Sequence, residues 1–184
     1  MFDILLSGTT ATLVIQTPRK VYIGWVGDSQ VTIWGNSKEK KGLITTDAHK
    51  PDVSAEMYRI YDNRGEIRET ADGKHRIFLR ARMYPGLKVS RTIGDLIPHQ
   101  IGVISEPNTQ VINTSHNDKL VILGTDGLWD FINPEELIDM LNEMNTSQRE
   151  THGQITQSIL NKIKDINSTE GLTINDTTFI ISHL

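Results

Sequence analysis

Strand-like segments fill most of the first two-thirds of this chain and paired helical periodicity comes only afterwards, an order that limits what it can fold into. β-Branched and apolar runs cover residues 10–16, 21–26 and 31–34, with the turn Thr17-Pro18-Arg19-Lys20 between the first two. The second and third read as a hairpin joined through Gly27-Asp28-Ser29-Gln30. Pro51 opens a helix carrying Ala55, Tyr58 and Ile60 that fades at Asn63-Arg64-Gly65. Residues 66–70 and 76–79 flank Asp72-Gly73 as a second hairpin. Strands are expected over 101–104, 110–112 and 119–123, the last nearly all apolar and therefore central. Leu137, Ile138 and Leu141 share one face of a helix begun by Pro134, and Ile155, Ile159, Leu160 and Ile163 share one face of another. Residues 179–181 form a closing strand. Without regular βαβ alternation, the expected class is α+β.

The 184 residues are read as one domain, long enough to bury a core. With a net charge of -4 the chain has no basic footprint for nucleic acid. The absence of cysteine excludes disulfides and thiolate chemistry and leaves the redox compartment open. Ile4-Leu5-Leu6 is too short for a signal-peptide core, and no run approaches a membrane span. The expected setting is intracellular, cytoplasmic or nuclear. The polar stretch 36–41 reads as a solvated loop.

The residues that carry chemistry are acidic segments at expected strand ends. Val26-Gly27-Asp28-Ser29 follows one strand, Thr125-Asp126-Gly127-Leu128-Trp129-Asp130 follows another, and Asn175-Asp176-Thr177-Thr178 runs into the last. Carboxylates held at the ends of buried strands can converge on a hard cation that takes oxygen ligands. Each segment, taken singly, also reads as a turn. The second hairpin and its flank carry Arg68, Lys74, His75, Arg76, Arg80 and Arg82, which suits a mobile basic flap or a plain exposed loop.

In order, these segments resemble the protein phosphatase 2C (PPM) family of metal-dependent serine/threonine phosphatases. The matching stretches are Ser7-Gly8-Thr9-Thr10-Ala11, Val26-Gly27-Asp28-Ser29, Asp47-Ala48-His49-Lys50-Pro51 and Arg59-Ile60. They continue with Val89-Ser90-Arg91-Thr92-Ile93-Gly94-Asp95, Ser105-Glu106-Pro107, the Asp126 segment and Asn175-Asp176-Thr177-Thr178. The resemblance implies a two-layer antiparallel β-sandwich flanked by helices, with a flap at about 52–88 and a C-terminal helical pair at about 134–165. It implies two or three Mg or Mn ions and a phosphorylated protein as substrate. Asp126 would ligate at the core of the metal site and Asp28 would hold an additional ion. Arg76, Arg80 and Arg82 would contact substrate from the flap. Gly94 and Asp95 take a scaffold role, Trp129 packs in the core and His49 orients a loop.

The departures carry equal weight. The family's first third, with its phosphate-gripping arginine, bridging carboxylate and general acid, has no counterpart here, so no catalytic residue is identifiable and a partial domain is expected. The closing motif reads Asn175-Asp176 where the family reads Asp-Asn, placing an amide at a ligand position. One residue of displacement along an extended chain moves a group by about 3.3 Å. Gln30 also replaces an arginine. The chain alone is therefore expected to be inactive. It is the C-terminal part of a phosphatase, or a pseudophosphatase serving as a binding or structural subunit, or a fragment completed by a partner chain that covers its exposed sheet edges.

Overall fold

The computed structural model describes residues 3–35, 43–114, 118–145, 152–170 and 176–184, which leaves the polar stretch 36–41 and Asn175 outside the described residues. In chain order, β1 (Gly8–Thr9), β2 (Ala11–Gln16), β3 (Lys20–Val26), β4 (Gln30–Gly35) and β5 (Leu43–Thr45) precede helix α1 (Ser54–Asp62). Next come β6 (Gly65–Glu69), β7 (His75–Leu79), β8 (Pro85–Leu87), β9 (Ile93–Gly94) and the single turn α2 (Leu96–His99). Then β10 (Asn108–Asn113) and β11 (Asp118–Gly124) lead to α3 (Asp126–Trp129), α4 (Pro134–Asn145), α5 (His152–Glu170) and β12 (Phe179–His183). The class is α+β, with antiparallel ladders joining β11 to β4 and β12, β4 to β5, and β7 to β6 and β8.

The chain divides into two compact units. One comprises Ile15–Tyr22, Gln30–Thr46 and Val111–Leu184. Its four-stranded sheet runs β12-β11-β4-β5, so the apolar β11 is central, as its composition predicts. Ile122 of β11 faces Thr32 and Ile181, and Gly124 at its end faces Gln30 and Phe179. Leu120, Ile122 and Trp34 pack against Leu137, Ile138 and Leu141 of α4 and Ile155, Ile159 and Ile163 of α5. The spacing of three and four residues gives each helix one apolar face. Trp34 Nε1 donates to Asn142 Oδ1 at 3.0 Å, which satisfies the buried indole. At the start of α4, Asn133 and Glu136 cap each other reciprocally: Glu136 N–H donates to Asn133 Oδ1 at 2.9 Å and Asn133 N–H to Glu136 Oε2 at 3.3 Å.

The other unit comprises Met1–Val14, Ile23–Ser29 and Asp47–Gln110. Its β6-β7-β8 sheet has Ile67 opposite Ile77, and Ile60 of α1 packs with Ile77, Ile101 and Val103.

Three expectations are corrected. Residues 101–104 are not a strand: Ile101 and Gly102 lie in a turn, and Ile104 makes an isolated parallel bridge with Arg91. The apolar run exists because Ile101 and Val103 are core plugs, 5% and 1% exposed, and not because they join a ladder. The segments 21–26 and 31–34 do not form a hairpin either: β3 lies in the sheet β10-β3-β2 and β4 in the other. Their end groups are bonded to a third segment, Gly27 to His49 in one unit and Val31 to Thr46 in the other. Helix α1 begins at Ser54 and not at Pro51, because Val53 N–H first closes a turn onto Lys50 O at 3.2 Å.

Ile159 is fully buried between α5 and the sheet, whereas Ile180 is 60% exposed on β12. In urea denaturation, Ile159→Ala is expected to cost about 2–5 kcal/mol. Ile180→Ala is expected to cost under about 0.5 kcal/mol.

Candidate functional site

β11 ends at Gly124, and the acidic segment after it is a helical turn and not an open loop. Asp126 is the first residue of that turn and is half-buried. The turn is docked on the segment that enters β12. Thr125 N–H donates to Thr178 O at 3.0 Å, Thr178 N–H to Thr125 Oγ1 at 3.1 Å, and Thr177 Oγ1 to Gly127 O at 3.0 Å. Trp129 Nε1 donates back to Gly124 O at 2.8 Å, so the indole braces the turn as well as packing on the core. A Cβ on Gly127 would come within 2.6 Å of Asp176 O, a backbone atom that cannot swing aside. The fold thus brings the Asp126 and Asp176 segments into direct contact. Asp176 is exposed.

Asp28 sits in the other unit, beyond β3, and is buried. Its carboxylate is ion-paired to Lys50. Gly27 before it has φ +99°, and a Cβ there would lie 2.2 Å from Thr10 Cγ2, so both conformation and space require glycine. Gly27 and His49 exchange two hydrogen bonds, Gly27 N–H to His49 Nδ1 and His49 N–H to Gly27 O, both at 3.0 Å. The imidazole stacks on Trp25 with ring centroids 6.0 Å apart, and Trp25 Nε1 donates to Asp47 O at 2.8 Å. His49 therefore holds the Gly27-Asp28 turn. Because Nδ1 accepts, the ring proton resides on Nε2, which is buried without a partner among the described residues. Burial, and then the positive charge of Arg91, lower its pKa from 6.5 to about 4, so His49 is neutral.

The strongest polar cluster of this unit was missed in the sequence. Glu56, 2% exposed on α1, accepts from Arg59 Nη2, Ser90 Oγ and Arg91 Nη2, each at 2.6 Å. Arg59 also reaches Gly102 O at 2.7 Å and Ser90 O at 3.0 Å, and Arg91 reaches Glu106 O at 2.8 Å and Asn108 Oδ1 at 3.0 Å. Burial alone raises the Glu56 pKa, but hydrogen bonds from Arg91, Arg59 and Ser90 outweigh it and bring the value down from 4.5 to about 2. The only sequence signal was the spacing of three residues between Glu56 and Arg59 on a helix.

The flap arginines fall into two kinds. Arg76 is fully engaged, with Asp72 Oδ2 at 2.8 Å, Thr70 Oγ1 at 3.2 Å and Gly86 O at 3.2 Å. The Thr70 hydroxyl, then Arg76, hold Asp72 well below the usual carboxylate range. Arg80 and Arg82 are exposed.

Among the described residues, no three His, Asp or Glu side chains gather closely enough to hold a metal ion. Oxygen donors suit Mg or Mn chemically, but each such ion takes about six of them. Asp126 and Asp176, on contacting segments, are too few to anchor two ions, and Asp28 is neutralised by Lys50. The described residues alone do not fit a two-cation centre.

The protein phosphatase 2C family model matches residues 3–171. The chain belongs to the protein phosphatase 2C family. It is 32% identical over 145 residues to Probable protein phosphatase 2C 14 of Oryza sativa subsp. japonica, covering 76% of this chain and 28% of that protein. It is 34% identical over 145 residues to Probable protein phosphatase 2C 34 of Arabidopsis thaliana, covering 76% of this chain and 40% of that one. The chain thus spans less than half the length of these curated relatives. A solved serine-threonine phosphatase 2C from Toxoplasma gondii shares the fold, with TM-score 0.79 and 21% identity over 96% of this chain and 58% of that one. A C. elegans sex determining protein follows the same fold, with TM-score 0.71 and 20% identity over 96% of this chain and 40% of that one. Membership in the protein phosphatase 2C family implies dependence on a divalent cation, generally Mg or Mn. Among the described residues, no helix is long and apolar enough to cross a membrane.

Two predictions follow from protein phosphatase 2C geometry as this chain builds it. Gly127→Ala should force the Asp126 turn off the Asp176 segment, lowering the melting temperature by several degrees, or about 1–3 kcal/mol of overpacking. Second, acid should unfold the protein in two stages. His49 gives stability that is complete above pH 6.5 and lost as pH falls towards 4; the Glu56 contribution is complete above 4.5 and lost as pH falls through 2. Each shift is worth about 3 kcal/mol at about 1.4 kcal/mol per pH unit. Denaturant unfolding across that range should lose the first stage in His49→Phe and the second in Glu56→Gln.

Proposed function

We propose that this chain supplies the C-terminal part of a metal-dependent serine/threonine phosphatase domain acting on phosphorylated proteins, and that alone it does not turn over phosphoesters. What supports this reading is the donor set: the segments carrying Asp126, after β11, and Asp176, before β12, are docked together, and no three His, Asp or Glu side chains form a metal-holding group among the described residues. In an intact site, paired cations would lower the pKa of a shared water and neutralise charge on the phosphoryl oxygens. Asp126 is the intended ligand, with Asp176 or Asn175 at the closing position and Asp28 available for an accessory ion once Lys50 is displaced. Arg80 and Arg82 would meet the substrate protein. An intracellular setting, cytoplasmic or nuclear, suits phosphoprotein substrates.

A second reading, a pseudophosphatase acting as a binding or structural subunit, is favoured by one observation. Ile15, Tyr22 and Val111 are 53%, 41% and 56% exposed on strands β2, β3 and β10. Exposed apolar side chains beside open strand edges favour a covering partner.

The test is Mn-dependent hydrolysis of a phosphothreonine peptide by this chain and by Asp126→Asn. Both are expected at the rate of Mn alone. Turnover by the first that disappears in the second would show that a working site forms from these residues and would sink the proposal. A monomer stable at high concentration in size-exclusion chromatography would count against the second reading.

A further inference from the structure

Where α1 ends and β6 begins, the chain makes a turn whose residues face the link after β7. Tyr61, Arg64, Gly65, Glu66, Arg80 and Ala81 line a surface cleft of about 610 Å³ there. Two features set it apart from an ordinary loop surface. The first is its charge. Glu66, its one carboxylate, is already occupied: Oε1 lies 3.1 Å from Arg68 Nε and Oε2 accepts Ala81 N–H at 3.3 Å. Arg68 is itself anchored, with its guanidinium 4.2 Å above the Phe78 ring and bonded to Arg82 O. The Arg64 and Arg80 guanidinia have no hydrogen-bond or ion-pair partner among the described residues, although both residues line the same cleft. Two positive charges lining one cleft without a counter-ion repel, a cost that a bound anion removes.

The second feature is the backbone. Arg64 has φ +63° and Ala81 φ +56°, both in the left-handed region that residues with a Cβ seldom adopt. They come to the cleft's lining from two stretches of chain, one on the α1–β6 turn and one beyond β7. Strain of this kind persists where the surroundings impose it and gathers at ligand clamps. The hydrogen bond that Ala81 N–H donates to Glu66 Oε2 joins the two stretches.

We propose that this cleft binds the phosphoryl group of a phosphorylated peptide, gripped between the Arg64 and Arg80 guanidinia. A phosphoryl dianion offers three acceptor oxygens to two planar forks, which a single carboxylate does not match. The Tyr61 hydroxyl, on an exposed ring, supplies a further donor. The chain's net charge of -4 disfavours a nucleic-acid polyanion and leaves a discrete oxyanion as the fitting class. The choice of a peptide as its carrier rests on the phosphatase reading above; the anion chemistry does not. No residue of the cleft belongs to the Asp126–Asp176 pair, so the phosphoryl group held here is bound and not hydrolysed.

The experiment measures binding without metal and without turnover, so its failure is separate from failure of the phosphatase reading. A labelled phosphothreonine peptide, its unphosphorylated form and a form with Glu for phosphothreonine are titrated by fluorescence anisotropy into the full chain, with inorganic phosphate as competitor. The phosphopeptide should bind at least about tenfold tighter than the other two, and phosphate should displace it. Arg80→Ala should weaken binding at least about tenfold at an unchanged melting temperature. Arg64→Gly relieves the left-handed backbone, so it should weaken binding similarly while melting at the same or a higher temperature. A merely structural Arg64 would raise the melting temperature and leave binding intact. Arg19→Ala, the same charge change in the other unit, should leave binding unaltered. Equal affinity for the three peptides, or an equal loss in Arg19→Ala, would overturn the proposal.

Discussion

The buried Glu56 carboxylate is the contact on which one of the two units depends. It stands on a short helix, yet its partners come from the chain around Ser90 and Arg91, and through Arg59 and Arg91 it reaches Gly102, Glu106 and Asn108. Three stretches that are remote in sequence, 56–59, 90–91 and 102–108, meet around one charge that has to be satisfied. A buried ionic cluster adds little net stability compared with an apolar one of the same shape, but losing one member leaves a bare charge, which costs several kcal/mol. Its effect here is to decide which segments meet. The Ser90 stretch it fixes then carries Ser90 N–H to His49 O at 2.9 Å, and His49 in turn holds the Gly27-Asp28 turn. The position of Asp28 is thus inherited from Glu56 through a chain of hydrogen bonds.

Much of this was legible in the sequence where a single local pattern decided the outcome. The nearly all-apolar run 119–123 became the central strand, paired on both edges and with Leu120, Val121 and Ile122 buried. The i, i+4 isoleucines of α5 and the Asn133–Glu136 cap gave the late helices their faces and one of their ends. The ordered motifs carried the family, and the family carried the fold. What failed was non-local. Nothing in Ile101 to Ile104 distinguishes a ladder strand from a core plug, since both want apolar β-branched residues. Nothing in Gly27 to Gln30 tells that its neighbours bond to Thr46 and His49 instead of to each other. The Glu56 cluster was invisible for the same reason: its meaning lies in partners more than thirty residues away.

At the candidate site, the sequence picked out the acidic segments, and their contacts came from the fold. Asp126 and Asp176 are carried on segments locked by paired threonine bonds, with glycine at 127 because the opposing backbone leaves no room for a Cβ. Asp28 is balanced by a lysine and Arg76 by an aspartate, so neither is a free group waiting for a ligand. The fold of solved protein phosphatase 2C structures is therefore present, and among the described residues no three His, Asp or Glu side chains gather to hold a metal ion. Fold alone does not fix activity, and the number of ions the chain holds is the quantity that bears on it.

That count can be measured directly. Isothermal titration of Mn into the full chain should show no more than one weakly held ion, with a dissociation constant in the range of about 10⁻⁴–10⁻³ M expected of a sparse oxygen site, and that heat should vanish in Asp126→Asn. Two ions bound at micromolar affinity would contradict the account, because a complete metal centre would then have to form from the residues of this chain.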